Sequence, residues 1–280
     1  MSLQNAKEAF IKAFDSLHIR KEIPTFGLKD IREMRDMYRL RINLAKTDFY
    51  LPLVRLPIPP PNDAAIGWFD PNPEVNPLID KAATETMTKL LQKMKPKVVV
   101  MTNSSKSENF IKEAVKEIKK KSPKTKIILM SSGDKKADVT SRSETDLVSY
   151  TPVTGTNKFM GYATEAAAKI SGVDYMSFDD LKKLCPDGKG LVLVDDVYTT
   201  GETMRAMEKV LGLTEKSKHR SAVIAVEQKF DGKYLPMTLP KNLKAAIRIT
   251  EFERLDDLKI DRNKLFIYDK PTIPQALVGD

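Results

Sequence analysis

The sequence predicts an α/β protein: a parallel sheet flanked by helices on both faces, with a helical N-terminal extension and a proline-rich arm. Three observations predict it. Short apolar runs alternate with amphipathic stretches from residue 78 onward. Those runs are apolar throughout, as strands buried on both faces must be. A proline-rich passage separates them from the N-terminal part.

Residues 5–46 read as helical in two pieces, broken near Pro24 and Gly27. Phe10, Phe14 and Leu17 share a face of the first piece, and Met34, Met37, Tyr38 and Leu40 recur at helical spacing in the second. The passage LPLVRLPIPPPNDAAIGWFDPNPEVNP then excludes a regular helix or a central strand, because proline lacks the amide proton both need. It reads as an irregular arm. Next, Ile79, Ala82, Ala83, Met87, Leu90, Leu91 and Met94 form a stripe of helical period. A buried strand at 98–101 follows, then a helix with Phe110, Ile111, Ala114, Val115 and Ile118 on one side, then a second buried strand at 127–130. The polar stretch 131–158 has no clear period and is long enough for a functional loop or lid. The cycle resumes with a helix around 161–170, a strand at 191–194, a helix over about 203–211 and a strand at 222–226. Two later apolar runs, 245–249 and 265–268, read as further strands. The chain thus divides into 1–77 (helical extension and arm or hood), 78–230 (α/β core) and 231–280 (C-terminal strands completing or extending the core). In such a sheet ligands bind beyond the strand C-termini, so chemistry is expected after Met101, Met130 and Val194.

Composition narrows the function classes. Hydrophobic residues make up 41% and charged residues 30%, the balance of an ordinary globular protein. No apolar run approaches the roughly eighteen residues a membrane helix needs, and 1–14 lacks the unbroken apolar core of a secretion signal. One cysteine, Cys185, and two histidines, His18 and His219, exclude an internal disulfide framework and leave little for a Cys/His metal centre. A cytoplasmic location is expected. The net charge of +9 suits a polyanion, either nucleic acid or a polyphosphorylated small molecule. The lysine cluster 116–126 has no interleaved aromatics, so it reads as a solvated helix end rather than a nucleic-acid surface.

The chemistry concentrates in 191–204, LVLVDDVYTTGETM. A buried strand delivers two adjacent carboxylates, Asp195 and Asp196, to the sheet edge. A tight turn with hydroxyls and one glycine then opens a helix. Gly201 lets backbone approach a ligand, and amides at a helix N-terminus favour a phosphate. Thr199, Thr200 and Thr203 add hydroxyl donors. Carboxylates repel phosphate but accept hydrogen bonds from sugar hydroxyls. The residues therefore describe a ribose 5-phosphate site, with the diol on Asp195 and Asp196 and the phosphate on Tyr198, Thr199, Thr200, Gly201, Glu202 and Thr203. Glu202 adds a negative charge that is tolerable there only if its side chain faces solvent.

This segment resembles the signature of the type I phosphoribosyltransferases (PRTases), which bind 5-phosphoribosyl-1-pyrophosphate (PRPP). That signature reads four apolar residues, two acids, two variable residues, then Thr-Gly and a small hydroxyl residue. Every defining position is kept in this chain. The resemblance implies that the loop after the first core strand, Asn103, Ser104, Ser105, Lys106 and Ser107, binds pyrophosphate, although it contains no glycine, unlike many members. It implies that 131–150 forms a lid, with Lys135, Lys136 and Arg142 closing over pyrophosphate and excluding water. Asp195, Asp196, Lys135 and Lys136 become the expected catalytic residues. Magnesium would arrive with PRPP and lie near Asp195 and Asp196. The expected reaction transfers the phosphoribosyl group of PRPP to a nucleobase, giving a nucleoside 5′-monophosphate and pyrophosphate.

Members acting on 6-oxopurines usually carry an aspartate two residues before the motif glycine, where this chain has Thr199. A 6-oxopurine is thereby disfavoured. Thr-Thr-Gly resembles the orotate transferases, yet their Lys-x-His-Gly lid pattern is missing, and adenine transferases carry the nearby Ala-Thr-Gly. Adenine and an orotate-like base both stay open. A variable hood recognises the base in this superfamily, and Trp68 with Phe69 is a candidate for it. The alternative function is a non-enzymatic PRPP- or nucleotide-binding regulator that kept the motif. The expected partners are PRPP and a nucleobase, with no membrane and no nucleic acid, and homodimerisation stays open.

Overall fold

A computed structural model of the chain describes residues 23–55, 64–141, 146–151, 156–228, 239–250, 252–253, 261–267 and 275–279. The first expected helix, around Phe10, Phe14 and Leu17, lies outside them.

The N-terminal described part is built of strands: β1 (Thr25–Phe26), β2 (Ile31–Met34), β3 (Met37–Leu44), β4 (Thr47–Arg55) and β5 (Ala64–Gly67). This corrects the second expected helix. Met34 and Met37 face each other across a turn, and Ile31 pairs with Leu40. The deciding pattern has period two: Leu40, Ile42 and Leu44 are buried while Arg41 and Asn43 are exposed. The proline-rich passage, expected as an irregular arm that excludes a central strand, instead begins in one, because β4 lies between β3 and β5. Pro52 lies in β4 between the residues that pair with β5 and Tyr50, the partner of a late strand residue, Leu277. Its carbonyl accepts the Trp68 backbone N–H at 2.9 Å, so the missing proline N–H falls where two neighbouring strands meet and breaks no ladder.

The middle of the chain alternates as expected: α1 (Pro77–Met94), β6 (Val98–Thr102), α2 (Glu108–Lys119), β7 (Lys126–Gly133), β8 (Val148–Tyr150), β9 (Lys158–Tyr162), α3 (Glu165–Ile170), α4 (Phe178–Leu184), β10 (Leu191–Tyr198), α5 (Glu202–Val210), β11 (Arg220–Gln228) and β12 (Leu243–Thr250). Three short strands follow, β13 (Phe252–Glu253), β14 (Phe266–Ile267) and β15 (Leu277–Val278). Helix α1 opens on Pro77, which lacks only an N–H that a first turn leaves unpaired, and closes on Lys95 in a left-handed conformation with its N–H on the Leu91 carbonyl.

Among the described residues the main sheet has eight strands in the order β1-β12-β11-β10-β6-β7-β9-β8. From β1 to β7 every pairing is parallel. Strand β9 runs antiparallel to β7, and β8 antiparallel to β9, so the sheet is mainly parallel but mixed. This corrects two expectations. The helix around 161–170 begins only at Glu165, capped by the Thr164 side chain, because Gly161 and Tyr162 belong to β9. The stretch 131–150 is in part sheet: β7 continues through Ser131, Ser132 and Gly133, and β8 supplies Val148 to Tyr150.

Helices cover both faces. On one, α1 and α2 bury Met87, Leu91, Phe110 and Ile111 against Val99, Val192 and Ile224. On the other, α4 and α5 bury Phe178, Leu181, Met204 and Met207 against Val100, Leu193 and Val223. A second sheet of β13-β5-β4-β3-β2, with β14 and β15 also paired to β4, contributes Leu40, Ile42, Phe49 and Leu51 to the first of these cores. Each such side chain, fully buried, contributes about 1.5–3 kcal/mol.

Candidate functional site

Strands β6, β7 and β10 are parallel neighbours, so their C-terminal ends share one edge. Leu193 pairs with Val100, and the register carried two residues further sets Asp195 level with Thr102, the last residue of β6. Both acids lie inside β10, which runs four residues beyond the expected strand end at Val194.

Asp195 is 7% exposed, and its Oδ1 accepts the Asp196 backbone N–H at 3.0 Å. Burial pushes its carboxyl well above the usual carboxylate range. The charge of Asp196 and a hydrogen bond between the two carboxyls push the same way, while the Asp196 amide and the Lys106 charge oppose them. The unliganded protein therefore keeps a carboxyl that ionises at a cost, beside a half-buried second carboxylate.

Asp195 lines one cleft together with Val197, Tyr198, Thr199, Thr200, Gly201, Glu202, Thr203 and Met204. Gly201 is required there on two counts. Its φ is +78°, and a Cβ would stand 2.3 Å from the Tyr198 hydroxyl. No side chain caps α5, so its first-turn amides remain available to a ligand. Glu202 borders the cleft with its charge matched: Arg205 meets its carboxylate at 2.5 Å and also donates to the Thr200 carbonyl at 2.8 Å, holding the turn.

The loop after β6 lies beside this cleft's acids. Asn103 exchanges two hydrogen bonds with the Ser132 backbone, its Oδ1 accepting at 2.7 Å and its Nδ2 donating at 3.2 Å. The carbonyl of Ser104 accepts the N–H groups of Ser107 and Glu108. Ser105 is exposed, whereas Ser107 is wholly buried with an Oγ that finds no protein partner. No residue from 103 to 107 has a positive φ, so the glycine-free loop adopts its course without strain. Lys106 points toward the second sheet's connection, 4.3 Å from the Trp68 ring centroid and 3.7 Å from Asp70 Oδ2.

Of the two expected hood residues, Trp68 is half-buried beside Lys106, and Phe69 is a core residue at 3% exposure. Lys135 and Lys136 are exposed at a short 3₁₀ turn after β7. The Lys135 amide donates to Asp138 at 3.2 Å, and the Lys136 ammonium stands 6.0 Å from the Phe159 ring. Neither forms a hydrogen bond or ion pair with 195–203. Arg142 lies outside the described residues.

One residue with no role expected from the sequence, Tyr150, lies near the site, with Ser132 as its partner. Tyr150 is 7% exposed, and its hydroxyl meets Ser132 Oγ at 2.6 Å. Burial pushes the Tyr150 phenol up, the Ser132 hydrogen bond opposes this, and the charges of Asp195 and Asp134 add to it, so Tyr150 is within electrostatic reach of Asp195. The only sequence signal for Tyr150 was the three-residue alternation of β8. Among the described residues no three His, Cys, Asp or Glu side chains gather to hold a metal by themselves, and no helix is long and apolar enough to cross a membrane.

No family model matches the chain, and no curated protein matches it in sequence. Among solved structures it is similar to adenine phosphoribosyltransferase from Thermoanaerobacter pseudethanolicus, at 13% identity and TM-score 0.39, over 61% of this chain and 80% of that one. It is similar to adenine phosphoribosyl transferase from Trypanosoma brucei in complex with AMP, pyrophosphate and ribose-5-phosphate, at 12% identity and TM-score 0.36, over 71% and 72%. A hypothetical protein from Neisseria gonorrhoeae with bound ppGpp is also similar, at 13% identity and TM-score 0.34, over 68% and 86%. The chain thus has structural similarity, at low identity and modest TM-scores, to adenine phosphoribosyltransferases.

Proposed function

We propose that the chain is a phosphoribosyltransferase that moves the 5-phosphoribosyl group of PRPP to a nucleobase. The observation that carries this reading is the pairing of buried Asp195 with half-buried Asp196 near the end of β10, shortly before a glycine turn and an uncapped helix. A carboxyl pushed upward by burial and a like charge gains most from a ligand that supplies donors and positive charge. A ribose diol supplies the donors. Magnesium carried by PRPP suits the same pair, and when bound it would neutralise pyrophosphate oxygens; the two acids would lie nearest to it. Tyr198, Thr199, Thr200, Gly201, Glu202 and Thr203, with the α5 amides, receive the 5′-phosphate; Arg205 already balances Glu202 there. The loop 103–107 receives pyrophosphate, and Lys135 and Lys136 shield it from water.

In the reaction the C1–oxygen bond to pyrophosphate breaks as a ring nitrogen of the base forms its bond to C1, and the proton of that nitrogen passes to solvent. Positive charge grows on the ribose, and the carboxylates lie beside it. Adenine or an orotate-like base fits the reading, because Thr199 stands where a 6-oxopurine enzyme would carry aspartate.

One observation favours a second reading, a PRPP- or nucleotide-binding regulator. The side-chain groups of 103–107 are largely committed: Asn103 to Ser132, Lys106 to Trp68 and Asp70, and Ser107 to the interior. Incubation with PRPP, magnesium and a panel of nucleobases separates the two. Pyrophosphate release with one base supports the enzyme and names the acceptor, whereas PRPP binding without release for any base supports the regulator. The double variant Asp195→Asn/Asp196→Asn should weaken PRPP binding by about a hundred-fold or more in calorimetry. Undiminished binding would overturn the ribose site in both readings.

A further inference from the structure

Helices α1 and α2 lie on one face of the main sheet, and each runs into one of two parallel strands, so both end at the sheet edge opposite Asp195. Between those two ends lies a cavity of about 320 Å³, at the small end of the range for ligand pockets. Its floor is apolar: Leu91 and Ile118 are buried there, with Pro96 beside them. Thr125 closes one side, its hydroxyl donating to the Pro96 carbonyl at 3.1 Å. Lys95, Lys121 and Ser122 are exposed at the rim.

Neighbouring lysines are paired. Lys116, Lys119, Lys120 and Lys126 meet the carboxylates of Glu113, Asp174, Glu117 and again Asp174. A lysine at a helix C-terminus ordinarily serves the last carbonyls, but those bordering this cavity are already taken. The Leu91 carbonyl accepts the Lys95 backbone N–H at 2.8 Å, and the Met94 carbonyl accepts the Arg220 guanidinium. The Ile118 carbonyl accepts the backbone N–H groups of Lys121 at 3.0 Å and Ser122 at 2.8 Å. Among the described residues, the Lys95 and Lys121 ammoniums meet neither a carboxylate nor a carbonyl.

We propose that this cavity is a second ligand site, for a small amphiphilic anion whose carboxylate or phosphate meets Lys95 and Lys121 while its apolar body covers Leu91, Pro96 and Ile118. Two ammoniums over an apolar floor discriminate against simpler ligands. An inorganic anion leaves the floor in water, and a neutral hydrocarbon leaves the ammoniums unmatched. The partial negative charge at two helix C-termini opposes an anion deep in the cavity, so the headgroup belongs at the rim and the hydrocarbon inside. The site is independent of the phosphoribosyl reading, because it lies at the far end of β6 from Thr102 and the 103–107 loop. Both positions can be filled at once.

Hexanoate and hexyl phosphate are titrated into the full chain, and backbone amide shifts are followed by NMR. Acetate, inorganic phosphate and hexanol serve as the headgroups and the body taken separately. The two amphiphiles should shift the amides of Lys95, Lys121 and Ser122 saturably, while the separate parts should bind there at least about ten-fold more weakly. The double variant Lys95→Gln/Lys121→Gln changes only exposed side chains and should weaken both amphiphiles by about three- to thirty-fold. Ser122→Phe keeps its backbone N–H on Ile118, fills the cavity from the rim, and should abolish the shifts. Shifts confined to the amides of 199–203 would place the anion on the phosphate turn and overturn the second site. Equal binding of acetate and hexanoate, an unchanged affinity in the double variant, or no saturable shift at 95, 121 and 122 would each overturn it as well. Response only to vesicles of anionic phospholipid would overturn it in favour of a membrane surface.

Discussion

Burying one carboxylate beside another costs folding free energy, and Asp195 carries that cost next to Asp196 in the unliganded protein. The sign follows from linkage. A carboxyl whose folded pKa lies above its unfolded value contributes stability below the unfolded pKa, and that contribution is lost as pH rises toward the folded pKa. Asp195→Asn removes the penalty while keeping the shape. Its Tm should therefore exceed that of the wild type at neutral pH, by about 2–4 °C for each kcal/mol recovered in a chain of this size. The advantage should shrink as pH falls into the ordinary carboxylate range, where Asp195 is protonated in both folded and unfolded states. Thermal melts of the two proteins across pH measure this, and a variant less stable than wild type at neutral pH would contradict the assignment of Asp195 as a strained group. A site residue that stabilises the protein when removed is one retained for its ligand.

At the scale of elements, the β2–β3–β4 meander turns on residues that disfavour its turns. Arg35 and Asp36 have φ of 52° and 60°, and Ala45 and Lys46 have φ of 51° and 68°. Hairpins of this kind usually place Asn-Gly or Asp-Gly at both central positions. Lys46→Gly relieves a left-handed conformation at an exposed position and should stabilise the protein by up to about 1 kcal/mol in denaturant titration. The same residues explain why this meander was not legible in the sequence: without a glycine or asparagine signal at either turn, the helical spacing of Met34, Met37, Tyr38 and Leu40 won over the alternation of Leu40, Ile42 and Leu44. Strands β6, β7, β10 and β11 were legible because burial on both faces leaves apolar runs with no other use. The turn at 199–203 was legible because one glycine and several hydroxyls after two acids have few other purposes. Tyr150 was not, since it comes to this side of the sheet through pairing of β8 with β9 and of β9 with β7, and three residues of strand cannot announce their partner. The engagement of Lys106 with Trp68 and Asp70 was illegible for the same reason, joining residues brought together only by the packing of two sheets.

At the scale of the whole molecule, one apolar core serves both sheets. Phe49 and Leu51 of β4 share it with Met87 and Leu91 of α1 and with Val99 and Val192 of the main sheet. Unfolding one sheet exposes the underside of the other, so the two should melt together. Far-UV ellipticity follows the main sheet and its helices, while Trp68 emission follows the end of β5, and their thermal transitions should coincide. Phe49→Ala should lower both equally, by about 3–5 kcal/mol. Separate midpoints would show that the second sheet is an independent unit.

The main sheet ends on β1, two residues long, at one side and on β8, three residues long, at the other. These caps are partial: β1 pairs with only Arg248 and Ile249 of the eight-residue β12, and β8 with only Lys158, Phe159 and Met160 of β9. Among the described residues the short outer strands therefore limit edge-to-edge pairing with another chain without abolishing it, and any such pairing would form away from the central strand that positions Asp195 and Asp196.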